Sequence, residues 1–322
     1  MQRIKVAILR GGPSSEHEVS LKTGKSVIDN LPDKYIPIDV FIDRNGCWHI
    51  EGFPVKPEKV FADVGVVFNA MHGAYGEDGK VQQLLEHHRV SFTGSGALAS
   101  AIGMNKQLSK DVFKQHGIKT PLHKTIRLGE EIHDFSVRLF KSFPIPVVIK
   151  PNNGGSSFGV SIASTISGIE KAISEAFKYS DTVLIEEFIK GREATCGVVD
   201  HFRGKEVYSL LPIEIKKPSD SEFFDYNAKY GGKSEEICPG NFSQEEKETI
   251  QKMASDAHKA LGLKHYSRSD FIIHPKRGIY ILEVNTLPGL TSESLLPKSL
   301  KAIGCSFPQF LDHLITLALE KR

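Results

Sequence analysis

Two strand-like segments near the end of the chain constrain its fold more than any other feature. The segments SRSDFIIH (267–274) and GIYILEVN (278–285) alternate polar and apolar residues, which is the pattern of a β-strand with one covered face. The turn-forming sequence Pro-Lys-Arg-Gly separates them. We therefore expect an antiparallel hairpin closed by a four-residue loop.

The register of this hairpin decides what its polar residues do. Pairing His274 with Ile279 follows from the expected loop. Side-chain alternation then gathers four polar residues on one face: Asp270 opposite Glu283, and Arg268 opposite Asn285. The other face is apolar and forms a core surface: Phe271, Ile273, Tyr280, Leu282 and Val284. A shift of the pairing by one residue would move these side chains to opposite faces.

Two carboxylates opposite each other require a compensating cation or a shared proton. Directly opposed residues have Cβ atoms about 5 Å apart, and like charges at that distance are destabilising. Aspartate, glutamate and asparagine offer only hard oxygen ligands, the set that Mg²⁺ prefers. The pattern therefore predicts a magnesium site at Asp270, Glu283 and Asn285. A solvated strand end neutralised by Arg268 is the alternative.

The first hundred residues alternate strand-like and helix-like segments, which predicts an α/β fold. Apolar runs of strand length occur at 4–10, 35–43 and 64–73, with helical stretches near 18–30 and 79–88 between and after them. Such alternation is typical of a parallel sheet with crossover helices. Ligands of these sheets bind beyond the carboxyl ends of the strands.

A glycine- and serine-rich loop follows a further buried strand. In KPNNGGSSFGVS (150–161), small residues leave backbone N–H groups able to wrap a phosphate, and Ser156 and Ser157 add hydroxyl donors. The loop has neither the Walker A ending nor dinucleotide-binding spacing, and Lys150 precedes the glycines. Beside a metal site it predicts a nucleoside triphosphate cradle, whereas alone it would be a plain connector.

The segment LIEEFIKGRE (184–193) runs from an apolar strand into two glutamates and a glycine turn. In a simple hinge between domains, Glu186 and Glu187 would be solvated. Beside a nucleotide, the segment would offer backbone groups to adenine and a carboxylate to the ribose hydroxyls. The residues alone favour the hinge, and the nucleotide interpretation depends on a neighbouring nucleotide site.

Bulk properties exclude several classes of protein. With 322 residues the chain exceeds one ordinary core, so two or three domains are expected. Its 41 Lys+Arg against 39 Asp+Glu give a formal charge of +2, which does not favour a nucleic-acid or membrane-surface partner. The four cysteines lack zinc or redox spacing, no apolar run reaches bilayer length, and no targeting segment precedes the first strand. We expect a cytoplasmic protein.

Eight segments together resemble the ATP-grasp superfamily and, within it, the D-alanine–D-alanine ligases. They follow the family order along nearly the whole chain: GGPSSEHEVSL (11–21), HGAYGEDG (72–79), GMNK (103–106), KPNNGGSSFGVS (150–161), EEFIKGRE (186–193), FFDYNAKY (223–230), RSDF (268–271) and EVNTLPGLTSESLLP (283–297). The resemblance implies a three-domain α/β ATP-grasp architecture with an N-terminal parallel-sheet domain. The expected limits are 1–104, 105–190 and 191–322, with ATP between the last two.

The resemblance also assigns nucleotide and metal roles to matching positions. The ATP-binding residues would be Lys106, Lys150, Ser156, Ser157, Glu186, Glu187, Ile189, Glu193 and Lys229. Asp270, Glu283 and Asn285 would ligate Mg²⁺ or Mn²⁺, and two ions are expected. Glu187 differs from the lysine that some relatives have at this position.

Substrate roles follow from the same resemblance. Glu16 would bind the ammonium group of the first D-alanine, with His72 nearby. The guanidinium of Arg268 and the N–H of Gly289 would steady the reacting carboxyl oxygens. The carboxylate of the second alanine would be received by two further residues, Ser294 and Leu295.

A closing lid is expected over residues 221–233, where aromatic and charged residues precede two glycines. Such a lid would exclude water from a labile intermediate. By resemblance, Ser156 and Tyr230 are lid contacts that tie the central and C-terminal domains to Glu16. The pair Lys229–Tyr230 matches relatives that form a dipeptide rather than a depsipeptide.

The resemblance implies ATP-dependent ligation of two D-alanines through an acyl phosphate, for the synthesis of a peptidoglycan precursor. The partners would be the small molecules D-alanine and ATP and a second copy of the chain in a homodimer, with no nucleic acid or membrane. One alternative is another ATP-grasp carboxylate–amine ligase, including one that joins D-alanine to a different acceptor. A nucleotide-binding sensor without turnover is the alternative from another class.

Overall fold

A computed structural model describes residues 3–155, 159–216 and 235–320. Over these residues the chain forms three β-sheets with helices packed against them. Each sheet draws its strands from a continuous part of the sequence. Residues from all three parts of the chain line one large cavity.

The first sheet contains the predicted parallel strands. Its strands are β1 (Ile4–Gly11), β2 (Tyr35–Ile42), β3 (Trp48–Ile50), β4 (Phe53–Pro54) and β5 (Val66–Asn69), in the order β4-β3-β2-β1-β5. Strand β1 runs parallel to both β2 and β5, as expected. Strands β3 and β4 extend the sheet as an antiparallel edge that the sequence pattern did not predict. The helices of this part are α1 (His17–Asn30), α2 (Pro57–Asp63), α3 (Lys80–His87) and α4 (Ala97–Met104).

The second sheet is antiparallel and carries the glycine-rich loop. Its strands are β6 (His123–Arg127), β7 (Val147–Pro151), β8 (Ser161–Ala163) and β9 (Thr182–Glu187), in the order β6-β9-β7-β8. The helices here are α5 (Lys106–Gln115), α6 (Ile132–Ser142) and α7 (Ile166–Ala176). The glycine-rich loop joins β7 to β8, so its first residues leave the sheet at the end of β7.

The third sheet is also antiparallel and contains the hairpin. Its strands are β10 (Arg192–Asp200), β11 (Val207–Ser209), β12 (Ile213–Lys216), β13 (Glu235–Ile237), β14 (Tyr266–His274) and β15 (Gly278–Asn285). Strand β14 lies between β10 and β15. The helices are α8 (Gln244–Ala260), α9 (Leu295–Ala302) and α10 (Phe307–Leu319). Capping boxes begin α8 at Ser243 and α10 at Ser306.

The hairpin keeps the predicted register only at its functional end. Asp270 pairs with Glu283, and Arg268 pairs with Asn285, as expected. The expected pairing of His274 with Ile279 is wrong, because His274 pairs with Gly278 across a three-residue connection. A bulge follows Asp270 and absorbs the one-residue difference.

The bulge also corrects the predicted core face. Phe271 and Ile273 belong to the core as expected, and so does Val284. Leu282 is the residue without a pairing partner, and it lines the cavity instead of the core. Past the bulge, Ile279 and Ile281 of β15 belong to this core cluster, whereas the predicted Tyr280 is buried outside it. A single extra residue therefore inverts the faces of part of the strand.

The beginning and the end of the chain share one hydrophobic core. Phe310 and Leu311 of α10 are fully buried in the same cluster as Val6 and Phe68 of the first sheet. Tyr266 of β14 packs edge-to-face on Phe310 with ring centroids 5.7 Å apart. The first and third sheets are thereby held in a fixed relation.

Among the described helices, none is by itself long and apolar enough to span a membrane. Helices α9 and α10, bent by 104° at their junction, pass this test of length and composition only as a pair.

A buried polar junction connects the segment before α4 to the third sheet. His265 Nδ1 accepts a hydrogen bond from Gly94 N–H at 3.0 Å, and the His265 backbone N–H donates to Asp200 Oδ2 at 2.6 Å. Asp200 Oδ1 also lies 3.1 Å from Nε2 of the buried His258. Desolvation lowers the pKa of His265 to about 4, so its ring is neutral near pH 7 and Nδ1 can accept.

We expect the protein to lose stability as the pH falls from about 6.5 to about 4. The unfolded His265 binds a proton at its ordinary pKa, near 6.5, whereas the folded one does so only near 4, so acid favours the unfolded chain. Between these pH values, His265 should lower the free energy of unfolding by about 3 kcal/mol. His265→Asn keeps an acceptor and tolerates the φ of 66°, so its urea midpoint should depend less on pH.

The matched control is His201→Asn, an exposed histidine that also has a positive φ, of 49°. Its urea midpoint should follow the wild-type pH dependence. Urea unfolding followed by circular dichroism at several pH values between 4 and 7 measures all three proteins. Identical pH dependence of the wild type and His265→Asn would contradict the assignment.

Candidate active site

One cavity of about 1630 Å³ brings together the predicted site residues. Every predicted site residue that the structure describes lines it: Glu16, His72, Lys106, Lys150, Glu186, Glu187, Ile189, Glu193, Arg268, Asp270, Glu283, Asn285, Gly289, Ser294 and Leu295. Ser156, Ser157, Lys229 and Tyr230, together with the expected lid at 221–233, lie outside the described residues. The cavity is larger than most single-ligand pockets, so a nucleotide and small substrates can share it.

A buried group of charges forms one wall of the cavity. Glu186 on β9 is 2% exposed, and its two carboxylate oxygens pair with Lys150 at 2.6 Å and Lys110 at 2.5 Å. Lys110 is fully buried and also donates to Thr120 Oγ1 at 2.7 Å. We call Lys110, Glu186 and Lys150 the charge triad.

The charge triad perturbs its own protonation. Desolvation lowers the pKa of Lys110 to about 8, although the attraction of Glu186 opposes this. Desolvation also acts against the ionised form of Glu186, but the charges of Lys110 and Lys150 outweigh it and the pKa of that carboxyl is lowered. At neutral pH the triad therefore carries one net positive charge facing the cavity.

The N-terminus of α5 anchors the glycine-rich loop. Backbone N–H groups of Lys106 and Gln107 donate to the carbonyl and side-chain oxygens of Asn152, at 3.1 and 2.9 Å. The Lys106 ammonium donates to Gly154 O at 2.6 Å and lies 3.3 Å from Glu283 Oε2. This lysine thus lies between the loop and the acidic strand end, where a polyphosphate can meet it.

The two glutamates of the hinge segment have different environments. Glu186 belongs to the charge triad, whereas the Glu187 carboxylate accepts from Leu122 N–H at 3.1 Å and pairs with Arg277 at 2.7 Å. Because β-strand neighbours point in opposite directions, only one of them can face the cavity with its side chain. The Glu187 side chain instead ties β9 to the connection between β14 and β15.

The acidic strand end has the donor set of a divalent metal site. Asp270 Oδ1 accepts from Arg268 Nε at 3.0 Å and from Thr195 Oγ1 at 2.7 Å, and the Asn285 amide lies 3.4 Å from Oδ2. Asp270, Glu283 and Asn285 supply hard oxygen atoms from adjacent positions on one sheet face, which fits Mg²⁺. Only two are carboxylates, and the described residues contain no cluster of three or more His, Cys, Asp or Glu side chains suited to a metal.

Glu16 lies in a pocket floored by glycines. A Cβ atom at Gly73 would lie 2.8 Å from Glu16 Oε2, and one at Gly155 would lie 3.0 Å from the same atom. Ser14 Oγ accepts from the Glu16 N–H at 3.0 Å and donates to His72 O at 2.6 Å. The loops that carry Glu16 and His72 therefore meet the start of the glycine-rich loop at one point.

Glu77 is a site residue that the sequence did not single out, although it lies within the HGAYGEDG motif. Its carboxylate accepts from Gly73 N–H at 2.7 Å and from Leu287 N–H at 3.2 Å. Desolvation and the nearby charge of Glu16 raise the pKa of Glu77 to about 8. It joins the His72 loop to the segment after β15.

The segment after β15 forms the remaining wall. Ser294 Oγ accepts from Thr291 N–H at 3.1 Å and lies 2.8 Å from Thr291 Oγ1. A Cβ at Gly289 would approach Ser294 Oγ to 2.9 Å, so any larger residue would displace the Ser294 side chain. Ser294 is the N-cap residue of α9, and its side chain makes no capping hydrogen bond. Ser294 and Leu295, at the start of α9, both line the cavity, and the N–H groups of a helix N-terminus are suited to binding an anion.

Lys110 is the second residue missed by sequence reasoning. It follows Lys106 by four residues, so both side chains lie on one face of α5. That spacing was the available signal. A fully buried lysine is rare, and the sequence alone did not distinguish it from an exposed helix lysine.

Two family models match the chain. The model described as D-ala D-ala ligase C-terminus matches residues 112–316. The model described as D-ala D-ala ligase N-terminus matches residues 5–55 and 51–95. Together they cover most of the three-sheet arrangement described above.

Curated proteins and solved structures agree with these models. D-Alanine–D-alanine ligases of Geobacter sulfurreducens and Clostridium beijerinckii are 38% and 39% identical, covering 99% and 98% of this chain and 95% and 99% of their own. The D-alanine–D-alanine ligase of Coxiella burnetii superposes with a TM-score of 0.86 at 27% identity, covering 100% of this chain and 95% of that one. VanG D-Ala:D-Ser ligase of Enterococcus faecalis superposes with a TM-score of 0.85 at 31% identity, covering 98% of this chain and 100% of that one. The predicted α/β ATP-grasp fold is confirmed.

Replacing Glu186 by glutamine should destabilise the protein by about 3–5 kcal/mol at pH 6, because two buried ammonium groups lose their shared counter-charge. The variant's Lys110 should release its proton below the wild-type value of about 8. The difference from wild type should therefore shrink as the pH rises from 6 to 8.5, because the variant loses this proton first. Urea unfolding at both pH values measures it.

Glu235→Gln is the control, since it removes an exposed carboxylate that pairs with Lys216, the residue across the sheet, at 3.4 Å. This change should cost less than about 1 kcal/mol at either pH. A Glu186→Gln protein as stable as wild type at pH 6 would show that the charge triad does not depend on its carboxylate.

Proposed function

The chain belongs to the D-alanine–D-alanine ligase family, and on that premise we propose that it joins two D-alanine molecules into D-alanyl-D-alanine, a peptidoglycan precursor, with ATP converted to ADP and phosphate. One observation carries the proposal. A single cavity holds cations suited to a polyphosphate, oxygen ligands suited to a divalent metal, and a buried carboxylate suited to an ammonium group.

The nucleotide binds between the second and third sheets. Lys106 and Lys150 contact its phosphates, while Glu186, Glu193 and the backbone at 187–189 face the adenine and ribose. Ser156, Ser157 and Lys229 complete this set by resemblance. The Glu187 side chain is already engaged by Arg277, so its contribution is a backbone contact.

The family uses ATP with divalent metal ions. Asp270, Glu283 and Asn285 would hold Mg²⁺ or Mn²⁺, two ions in all, through their side-chain oxygen atoms. When bound, the ions would supply positive charge that neutralises the phosphates during phosphoryl transfer. The Arg268 guanidinium, which pairs with Asp270 at 3.0 Å, lies on the same sheet face and is directed to the substrate carboxylate.

The first D-alanine binds with its ammonium group on Glu16 and near His72. Its carboxylate faces Arg268 and attacks the γ-phosphorus of ATP, which forms the new C–O–P linkage of an acyl phosphate and releases ADP. This step activates a carboxylate that is otherwise a poor electrophile. Positioning and charge neutralisation supply most of the catalysis.

The second D-alanine binds with its carboxylate on Ser294 and the N–H of Leu295, at the start of α9. Its amine, once deprotonated, attacks the acyl carbon, and a tetrahedral oxyanion forms that Arg268 and the Gly289 N–H stabilise. Collapse breaks the C–O bond to phosphate and leaves the peptide bond. Tyr230 and Ser156, with Glu16, close the lid over this step.

We further propose domain limits of 1–104, 105–190 and 191–322, with the lid over 221–233. The active form is a homodimer that binds neither nucleic acid nor membrane. The reaction takes place in the cytoplasm, since it consumes ATP.

A different acceptor is the second candidate function. VanG, the D-Ala:D-Ser ligase of Enterococcus faecalis, is 31% identical and shares the fold over 98% of this chain. Acceptor choice would then lie near Ser294, Leu295 and the lid.

The proposed reaction predicts ADP release from ATP and Mg²⁺ only when D-alanine is present. L-Alanine should give none, and D-lactate or D-serine added with D-alanine should compete poorly as acceptor. A coupled ADP assay gives the rate, and mass spectrometry identifies the product. Predominant D-alanyl-D-serine would favour the second candidate, and absence of ADP with any D-amino acid would contradict both.

Glu283→Gln should reduce the rate of ADP formation by at least about 10³-fold, because a neutral amide is a weaker ligand and leaves Lys106 without its acidic partner. Glu248→Gln, an exposed residue of α8, should keep wild-type activity. Circular dichroism should show the same fold in both. Wild-type turnover by Glu283→Gln would exclude this carboxylate from the metal site.

A further inference from the structure

One fully buried lysine lies just outside the cavity and contacts a residue that lines it. Lys110 has no exposed surface and does not line the cavity, whereas Glu186 does. Burying an ammonium group costs several kcal/mol unless it is well paired. Its retention at this point calls for a role that an apolar side chain would not fill.

Helix α5 carries two lysines whose ammonium groups pair with two different glutamates. Lys106, one turn earlier, lies 3.3 Å from Glu283 and reaches the cavity. Lys110 lies 2.5 Å from Glu186 Oε1 and fixes it from behind, while Lys150 lies 2.6 Å from the other oxygen. No donor of regular hydrogen-bond geometry reaches Oε1 among the described residues, so charge holds this contact.

The chemistry of Glu186 limits what it can bind. An ionised carboxylate is only an acceptor, so it repels phosphate oxygens and requires a donor. In a nucleoside triphosphate, donors occur on the base and the ribose. The cavity favours the flat base, because its lining includes apolar side chains on both sheets: Val148, which pairs with Glu186, Phe188 and Ile189, which follow it in sequence, and Ile272 and Leu282 of the third sheet.

We propose that Lys110 is a positioning residue for base selection: it holds Glu186 ionised and oriented so that the carboxylate accepts from the exocyclic amine of adenine. Guanine has a carbonyl oxygen at that position. Its oxygen would face the carboxylate oxygen of Glu186, and two acceptors without a donor between them repel each other. A site built around a buried charged acceptor discriminates strongly against a ligand that lacks the donor. This inference rests on the proposed use of ATP.

Thr120 extends the same arrangement to the hairpin. Its hydroxyl accepts from the Lys110 ammonium at 2.7 Å and donates to Ile281 O at 2.9 Å. Ile281 is two residues before Glu283 on β15. Lys110 is therefore linked through Thr120 to β15 of the third sheet, and it pairs with Glu186 on β9 of the second sheet. These contacts fix the position of the proposed base site relative to the proposed metal site.

The test compares ATP with GTP in the purified full-length protein. In Lys110→Met, the KM for ATP should rise at least tenfold with kcat changed by less than about threefold, and the ATP/GTP ratio of kcat/KM should fall at least tenfold. Lys110→Arg should recover part of that ratio. Lys114→Met, an exposed lysine one turn further along α5, should match wild type.

A purely structural role would lower the melting temperature without changing the ATP/GTP ratio, so an unchanged ratio in folded Lys110→Met overturns the proposal. If Lys110→Met does not fold, Thr120→Val is the test variant, because it removes the hydroxyl that contacts Lys110. Its ATP/GTP ratio of kcat/KM should also fall, and an unchanged ratio would overturn the proposal. Calorimetric affinities for non-hydrolysable ATP and GTP analogues give the ratio without turnover. They separate failure of this inference from absence of ligase activity in the wild type.

Discussion

The pairing of β14 with β15 is the interaction on which both the core and the cavity depend. One face of this hairpin carries Asp270, Glu283 and Asn285 toward the cavity, while the other packs Phe271 and Ile281 against α8. The bulge after Asp270 shifts the pairing by one residue and leaves Leu282 without a partner, so that Leu282 lines the cavity while Ile281 packs in the core. Without that extra residue, the apolar part of β15 would present its core side chains to the cavity.

Charge is concentrated around this hairpin to a degree that a structural core would not tolerate. The charge triad, Lys106, Glu16 and Glu77 all face or border one cavity, and several of them have perturbed pKa values. Desolvated charges of this kind cost stability, and their clustering in a cleft is typical of functional sites. Their stabilising partners are themselves polar: Thr120, Thr195 and backbone N–H groups. This wall thus combines, at a cost in stability, groups suited to binding anions, cations and an ammonium group at separate points.

Much of this arrangement could be predicted from particular residues. The strand–helix alternation of the first hundred residues predicted the parallel pairing of β1 with β2 and β5. The expected four-residue loop predicted that Asp270 lies opposite Glu283, and this pairing is correct because the bulge compensates for a loop that is one residue shorter. The resemblance predicted residues that line one cavity. The antiparallel edge formed by β3 and β4 was missed, since strands of three and two residues carry no readable periodicity. The bulge was missed because alternation on each side of it is regular, and only the far end of the hairpin reveals the extra residue.

The sequence by itself determined which residue types meet the chemistry: hard oxygen donors at a strand end, lysines before and beside a glycine-rich loop, and glycines where side chains would collide. Tertiary structure decided how they combine. Lys110 and Lys114 lie on the same helix, yet one is fully buried against Glu186 and the other is exposed. Glu186 and Glu187 are adjacent, yet one faces the cavity and the other ties β9 to the hairpin loop. These differences depend on which surfaces of the three sheets pack together. Packing decides which side chains are buried, and burial and the nearby charges then determine their protonation and their partners.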